Sequence, residues 1–171
     1  MYSGNLYETY FRGLAEKLAD LGHTEAKPRF WVNHELGSLS ELNAALRSNL
    51  RVPALVLEVE ELDTDGSGTG QKVSLVGGFT VLDKVQSANA LSVRDVRHKT
   101  KTIARKLVNR MKRDSRAMYN EESTLLLANA IQLGNIKQYP APLILNEFTG
   151  WCVEFEWLVP DDISFGMGDF A

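Results

Sequence analysis

The chain has 171 residues, of which 44% are apolar and 24% are charged; its 19 Lys and Arg against 22 Asp and Glu give a net charge of −3. These values are typical of a globular protein, and they exclude a collagen-like chain, a wholly disordered chain and a disulfide scaffold. The length predicts one domain with a substantial core. The single cysteine predicts an intracellular, reducing environment, and we find neither a membrane-spanning run nor a secretory signal.

The amino-terminal part predicts two helices. Apolar residues recur every three or four positions from Leu6 to Leu21, and Gly22 is placed to end that helix. After a polar loop, residues 30–32 form either a short strand or a loop anchor. Ser38 and Glu41 have capping-box spacing, which predicts a second helix. Its inward side chains are expected to be Leu39, Leu42, Ala45 and Leu46.

The middle of the chain predicts antiparallel strands. Residues 53–61 (PALVLEVEE) alternate as a strand does, and residues 63–70 (DTDGSGTG) read as a flexible connector. Residues 72–76 and 79–85 predict two further strand pieces, with Gly77 and Gly78 as a bulge or tight bend between them. The connections are too short for parallel crossovers, so antiparallel pairing is expected.

A long helix and two strands complete the predicted fold. An apolar stripe from Val93 to Met111 predicts the helix, with Ser92 as its N-cap. Residues 125–131 are ambiguous, and closing strands are expected within 131–139 and over 151–159. The element order predicts one α+β domain over residues 1–160, in which a mostly antiparallel sheet packs against a long amphipathic helix and an N-terminal helix. Residues 161–171 are expected to form a flexible tail.

The DTDGSGTG connector resembles a calcium-binding loop only in its first half. Asp63, Asp65 and Ser67 occupy the first, third and fifth positions of an EF-hand, and Gly68 occupies the sixth. The twelfth position holds Ser74 instead of the bidentate glutamate. We therefore expect a solvated hairpin loop, and whether it binds a cation stays open.

No motif in the sequence indicates catalysis. Cys152 lies in an alternating strand, and no spacing links it to the histidines at positions 23, 34 and 98. Phosphate-binding, zinc-protease, hydrolase and dinucleotide motifs are absent. The prediction is a protein that is not an enzyme and has no cofactor and no metal site. An enzyme that uses Cys152 is a weak alternative.

Charge is strongly segregated along the chain. Residues 92–116 contain ten Lys and Arg but two Asp, whereas the rest of the chain contains nine bases and twenty acids. The bases that project away from the apolar stripe are Arg94, Arg97, Lys101, Arg105, Arg113 and Arg116. Those that widen the basic surface are Lys99, Lys106, Arg110 and Lys112. The acidic strand residues that could complement them are Glu58, Glu60, Glu154 and Glu156.

Three interpretations of this basic helix remain open. It is a solvated helix face, a nucleic-acid-binding surface, or a face that meets the acidic face of another copy. Base stacking has no platform within the segment, because no aromatic residue occurs there before Tyr119, and the acidic remainder would repel a long duplex. Unlike patches on different faces favour head-to-tail rings.

The element order and residues 146–160 (NEFTGWCVEFEWLVP) resemble the tail terminator, or tail-completion, proteins of tailed bacteriophages and prophages. The resemblance covers roughly Leu6 to Pro160. It implies a structural protein without enzyme activity, whose hexameric ring caps the tail tube, stops polymerisation and offers a surface for joining the head. The partners implied are other copies of the chain, the tail tube and head-completion proteins. The implied location is the cytoplasm of the bacterial host and then the virion tail.

Overall fold

The computed structural model describes residues 4–35, 38–64, 72–86, 89–116 and 131–160. In these ranges three helices and six strands form one α+β domain, which confirms the predicted fold class. The helices are α1 (Gly4–Lys17), α2 (Leu39–Ser48) and α3 (Ala90–Arg116). The strands are β1 (Phe30–Val32), β2 (Ala54–Leu57), β3 (Glu61–Thr64), β4 (Lys72–Lys84), β5 (Gln132–Pro140) and β6 (Phe148–Pro160). Asp65, Ser67, Gly68, residues 125–130 and the predicted tail lie outside the described residues.

The sheet is organised around β4 and β6, which pair antiparallel along their whole length. The strand order is β1-β2-β4-β6-β5, and β3 pairs with the part of β4 that β2 leaves free. The β1–β2 pair is parallel, which the sequence did not indicate. Every other strand pair is antiparallel, as predicted.

The predicted break at Gly77 and Gly78 lies on the neighbouring strand. β4 is continuous from Lys72 to Lys84. Between β2 and β3, the three residues 58–60 lie opposite the two glycines of β4, so the extra residue forms a bulge in the β2–β3 segment. Gly77 serves packing: a Cβ there would lie 2.8 Å from the rings of Tyr7 and Phe155. The Tyr7 hydroxyl accepts from the Gly78 amide and hydrogen-bonds the Glu58 carbonyl, which fastens α1 to the bulge.

One face of the sheet carries the main core, covered by α1 and α3. Alternate residues of β4 and β6 point to this face, and an aromatic cluster fills the space beneath α1 with ring centroids 5.3–6.3 Å apart. Its members are Tyr7, Tyr10, Phe11, Phe79, Phe155 and Trp157. The predicted stripe of α3 is buried from Thr100 to Met111, while Val93 and Val96 are half-buried.

Helix α2 covers one end of the opposite face. Leu42 and Ala45 pack there with Val56, Leu82 and Phe148. The predicted inward orientation of Leu39 is wrong, because its side chain is 57% exposed at the start of the helix. None of the described helices covers the other end of this face.

The helix ends differ in detail from the sequence prediction. Helix α1 ends at Lys17, and Gly22, with a φ of +56°, closes an additional turn after it. Asn89, not Ser92, caps α3, since its side chain accepts the Ser92 amide hydrogen at 2.9 Å. Ser38 caps α2 as predicted. The Glu41 carboxylate, however, accepts from the His34 amide.

Two features of the 146–160 motif follow from the β5–β6 hairpin. Leu145 and Asn146 both have positive φ, as the central residues of a type I′ turn do, and Asn tolerates that conformation. Gly150 allows close backbone approach, because a Cβ there would lie 1.8 Å from the carbonyl oxygen of Val81. The two predicted closing strands are confirmed as β5 and β6. Asn146 is explained by the turn and Gly150 by the close approach of the neighbouring strand.

Candidate functional site

The basic surface of α3 follows one stripe of the helix at spacings of three, four and seven residues. Its members are Arg94, His98, Lys101, Arg105, Lys112 and Arg116, all of them exposed. Arg105, Lys112, Arg113 and Arg116 make no ion pair with any residue that the structure describes. The carboxyl-terminal half of the helix therefore presents positive charge that no described carboxylate neutralises.

Other bases of α3 are used inside the molecule. Lys99 pairs with Asp83 and Lys106 with Asp20, each at 2.6 Å. Arg110 binds the buried carboxylate of Asp114 at 2.8 Å, and the Tyr10 hydroxyl donates to the same group. The pKa of Tyr10 is raised by burial first and then by this hydrogen bond. The pairs of Lys99 and Lys106 and the Tyr10–Asp114 hydrogen bond hold α3 against the rest of the fold, and Arg110 pairs within the helix. The available charge is therefore smaller than the sequence count suggests.

Arg97 is held by hydrogen bonds within the domain. Its Nε donates to the Thr149 hydroxyl at 3.1 Å and one terminal nitrogen donates to the Ala141 carbonyl at 2.9 Å. The side chain is half-buried, so the expected outward projection is limited to part of the guanidinium. These bonds hold α3 against the β5–β6 hairpin.

The amino-terminal half of α3 forms one wall of a cleft with a volume of about 590 Å³. Arg94, Arg97, His98 and Lys101 line it, and Trp151 of β6 lies opposite, with Lys101 Nζ 4.9 Å from the centroid of the indole ring. The inference that the basic segment has no aromatic platform is therefore wrong. Trp151 was missed because it is fifty residues away from Lys101 in sequence and is brought there by sheet pairing.

The acidic residues meet at the open end of the opposite sheet face. Glu58 and Glu154 line a groove with a volume of about 470 Å³, together with Glu61. The bulge explains why Glu61 lines the groove, because it shifts the register by one residue and pairs Glu61 with Val76. Glu60 lies within the bulge and does not line the groove. Glu156 lies on the same face of β6, two residues beyond Glu154.

Hydrogen bonds hold the carboxylates of this acidic face in place. Asn33 donates to both oxygens of Glu58 at 3.1 and 3.2 Å, Ser74 donates to Glu156, and Tyr139 donates to Glu154 at 2.6 Å. The last bond, more than burial, raises the pKa of Tyr139. Among the side chains that the structure describes on this face, Lys137 is a base: it is paired across from Glu154, and its Nζ lies 5.6 Å from the centroid of the Tyr139 ring. The face keeps a net negative charge.

The basic and acidic residues lie on opposite sides of the sheet. Val153 and Phe155 of β6 point towards α1 and α3, and the alternating residues Glu154 and Glu156 point the other way. Of the ten residues that the sequence suggested for an interface, Glu58, Glu154 and Glu156 share one surface. Arg94, Lys101, Arg105 and Arg116 share the other, Arg113 lies beside that stripe, and Arg97 and Glu60 are placed as described above.

The residues considered for catalysis are not brought together. The Cys152 thiol contacts the Thr80 hydroxyl at 3.3 Å, and burial raises the pKa of the thiol, which disfavours the thiolate. His23 lies in the loop after α1, where its Nδ1 accepts the Arg29 amide hydrogen. His34 is exposed beside Glu41, and His98 lies on the α3 stripe.

The described residues provide neither a side-chain cluster for a metal ion nor a helix for crossing a membrane. They contain no group of three or more His, Cys, Asp or Glu side chains arranged to hold a metal ion. None of their helices combines the length and apolar character that a membrane crossing requires.

No family model, no curated protein and no solved structure matches this chain.

Proposed function

We propose that this protein is a structural assembly subunit whose copies join head to tail, the carboxyl-terminal part of the basic stripe of α3 (Arg105, Lys112 and Arg116) on one copy meeting the acidic face of the next. The observation that supports this most is the placement of unlike charges on opposite sides of one sheet. A surface that is complementary to a different surface of the same chain produces a heterologous interface, and such an interface closes into a ring when the rotation permits.

The proposed ring is that of a tail terminator, which caps the tail tube, stops its polymerisation and supports joining of the head. The resemblance in residues 146–160 and the element order support the family, and the two unlike faces suit a ring subunit. A hexamer, with tail-tube and head-completion proteins as partners, is the assembly that the resemblance implies. The protein would act first in the bacterial cytoplasm and then in the virion tail.

The electrostatic contribution is to orientation more than to affinity. An exposed ion pair contributes about 0–1 kcal/mol, whereas complementary patches select the partner surface and suppress like-charged contacts. The groove also exposes apolar surface at Val76, which is 44% exposed between Glu61 and the glycines of β4. Assembly should therefore weaken with salt without depending on charge alone.

Light scattering during size-exclusion chromatography tests the proposal. Lys112→Ala with Arg116→Ala removes charge from the basic stripe, and Glu61→Gln with Glu154→Gln removes it from the acidic face. Each double variant is expected to assemble about tenfold more weakly than the wild type, since about 1.4 kcal/mol corresponds to a factor of ten. The matched controls are Arg51→Ala and Glu25→Gln, which change exposed charges outside both surfaces.

Mixing the two double variants gives a sharper result. Each retains one intact surface, so a head-to-tail interface predicts a one-to-one dimer that does not grow further. A two-fold interface would give no such arrested pair, because each patch would then face the same patch on the other molecule. Wild-type protein that stays monomeric up to millimolar concentration at low salt would contradict the proposal.

A further inference from the structure

The cleft between the amino-terminal half of α3 and the β5–β6 hairpin has features that assembly does not explain. The described residues that line it include three basic side chains and one imidazole, and none of them is a carboxylate. Among the described residues, Arg94 forms an ion pair with the exposed carboxylate of its neighbour Asp95, at 3.7 Å, with both side chains 74% exposed. Such a contact neutralises little charge in water. The cleft is therefore a concave region of positive potential.

Arg97 is positioned before any ligand arrives. Its bonds to Thr149 and to the Ala141 carbonyl use Nε and one terminal nitrogen, and the second terminal nitrogen makes no hydrogen bond with a described residue. A guanidinium held in this way loses little conformational entropy on binding an anion. Arginine donors also match the geometry of phosphate oxygens.

Trp151 adds an aromatic surface to the same cleft. Its ring is half-buried, and Lys101 Nζ lies over the ring face, 4.9 Å from the centroid. A base therefore stacks on Trp151 when the Lys101 side chain turns from the ring to the phosphate, which holds the planar and the anionic part of the ligand next to each other. Stacking of a nucleic-acid base on an aromatic side chain contributes about 1–3 kcal/mol. The cleft volume of about 590 Å³ lies within the usual range of about 300–1,000 Å³ for small-molecule sites.

We propose that this cleft binds a nucleoside phosphate, with the phosphate between Arg94, Arg97 and Lys101 and the base against Trp151. The ligand chemistry is that of one nucleotide, supplied either as a free mononucleotide or as the terminal nucleotide of a single strand. The site is separate from the proposed assembly surface, which uses the carboxyl-terminal half of α3.

Isothermal titration calorimetry of the full chain at low salt tests the site with AMP, inorganic phosphate and a 5′-phosphorylated single-stranded hexanucleotide. Lys101→Ala and Trp151→Leu are each expected to weaken AMP binding about tenfold. Lys112→Ala is the matched control, because it removes a base from the same stripe outside the cleft. Thermal unfolding of each variant checks that the fold is retained, and Lys101→Gln serves if Lys101→Ala unfolds.

AMP binding that is at least tenfold tighter than phosphate binding and is weakened by the cleft variants alone supports the proposal. Hexanucleotide binding more than tenfold tighter than AMP identifies the strand as the source of the nucleotide, and equal binding identifies the free nucleotide. The proposal is overturned if AMP does not bind at low salt, if phosphate binds equally well, or if Lys112→Ala weakens binding as much as Lys101→Ala does.

Discussion

At the scale of single residues, Gly150 shows how a short motif reflects backbone packing. Substitution by alanine places Cβ 1.8 Å from the Val81 carbonyl oxygen, and that oxygen belongs to the paired strand. We expect Gly150→Ala to lower the free energy of unfolding by more than about 4 kcal/mol, measured by urea denaturation. Gly13→Ala is the matched control: nothing lies within 4 Å of its Cβ, so helix propensity predicts a gain of about 0.5–1 kcal/mol. A Gly150→Ala protein within 1 kcal/mol of wild type would contradict this account.

His23 predicts a pH dependence of stability. Burial, followed by the nearby Arg12, lowers the pKa of His23 below 6.5, and its Nδ1 accepts a hydrogen bond that protonation would break. The unfolded chain therefore takes up this proton at a higher pH than the folded protein. The contribution of neutral His23 to the free energy of unfolding is fully present above pH 6.5, and it is lost as the pH falls towards the lowered pKa. Between pH 7.5 and pH 5.5, urea unfolding should show a larger fall in the free energy of unfolding for the wild type than for His23→Gln. An equal fall in both proteins would disprove the role of His23 in this pH dependence.

At the scale of elements, local sequence patterns were sufficient wherever a helix or strand has one buried side. The stripe of α3, the capping serine of α2 and the alternation of β6 all identified their elements. The assignment of Ser92 as a cap was wrong by three residues, because Asn89 and Ser92 both suit a helix start. Leu39 was misplaced because the helical spacing alone assigned it inward, whereas at the first position of α2 its side chain is 57% exposed.

Features that depend on pairing between distant segments were not accessible from the sequence. The bulge at residues 58–60 is set by the register of β2 and β3 against β4, and it decides that Glu61 faces the groove. The position of Trp151 beside Lys101 depends on how α3 crosses the sheet. The sequence predicted an acidic and a basic surface from residue type, but which residues share each surface became known only from the fold.

At the scale of the whole molecule, the net charge of −3 conceals two surfaces separated by one sheet. The sheet keeps the carboxylates of β6 away from the bases of α3, because successive side chains of a strand point to opposite faces. Within the described part of the domain, Arg97, Lys99, Lys106 and Arg110 of α3 are held by hydrogen bonds or ion pairs, and the Arg94–Asp95 pair is exposed to solvent. The charge that remains exposed divides along α3 into a cleft at one end and an open stripe at the other.

This division predicts that the two ends of α3 can be inactivated separately. Lys101 and Lys112 are eleven residues apart, or about 16 Å along the helix, and substitutions at that distance usually act independently. Lys112→Ala with Arg116→Ala should weaken assembly about tenfold and leave AMP binding within twofold of wild type. Lys101→Ala should do the reverse. Light scattering and calorimetry on the same preparations measure both effects, and a variant that loses both activities while remaining folded would show that α3 carries a single surface.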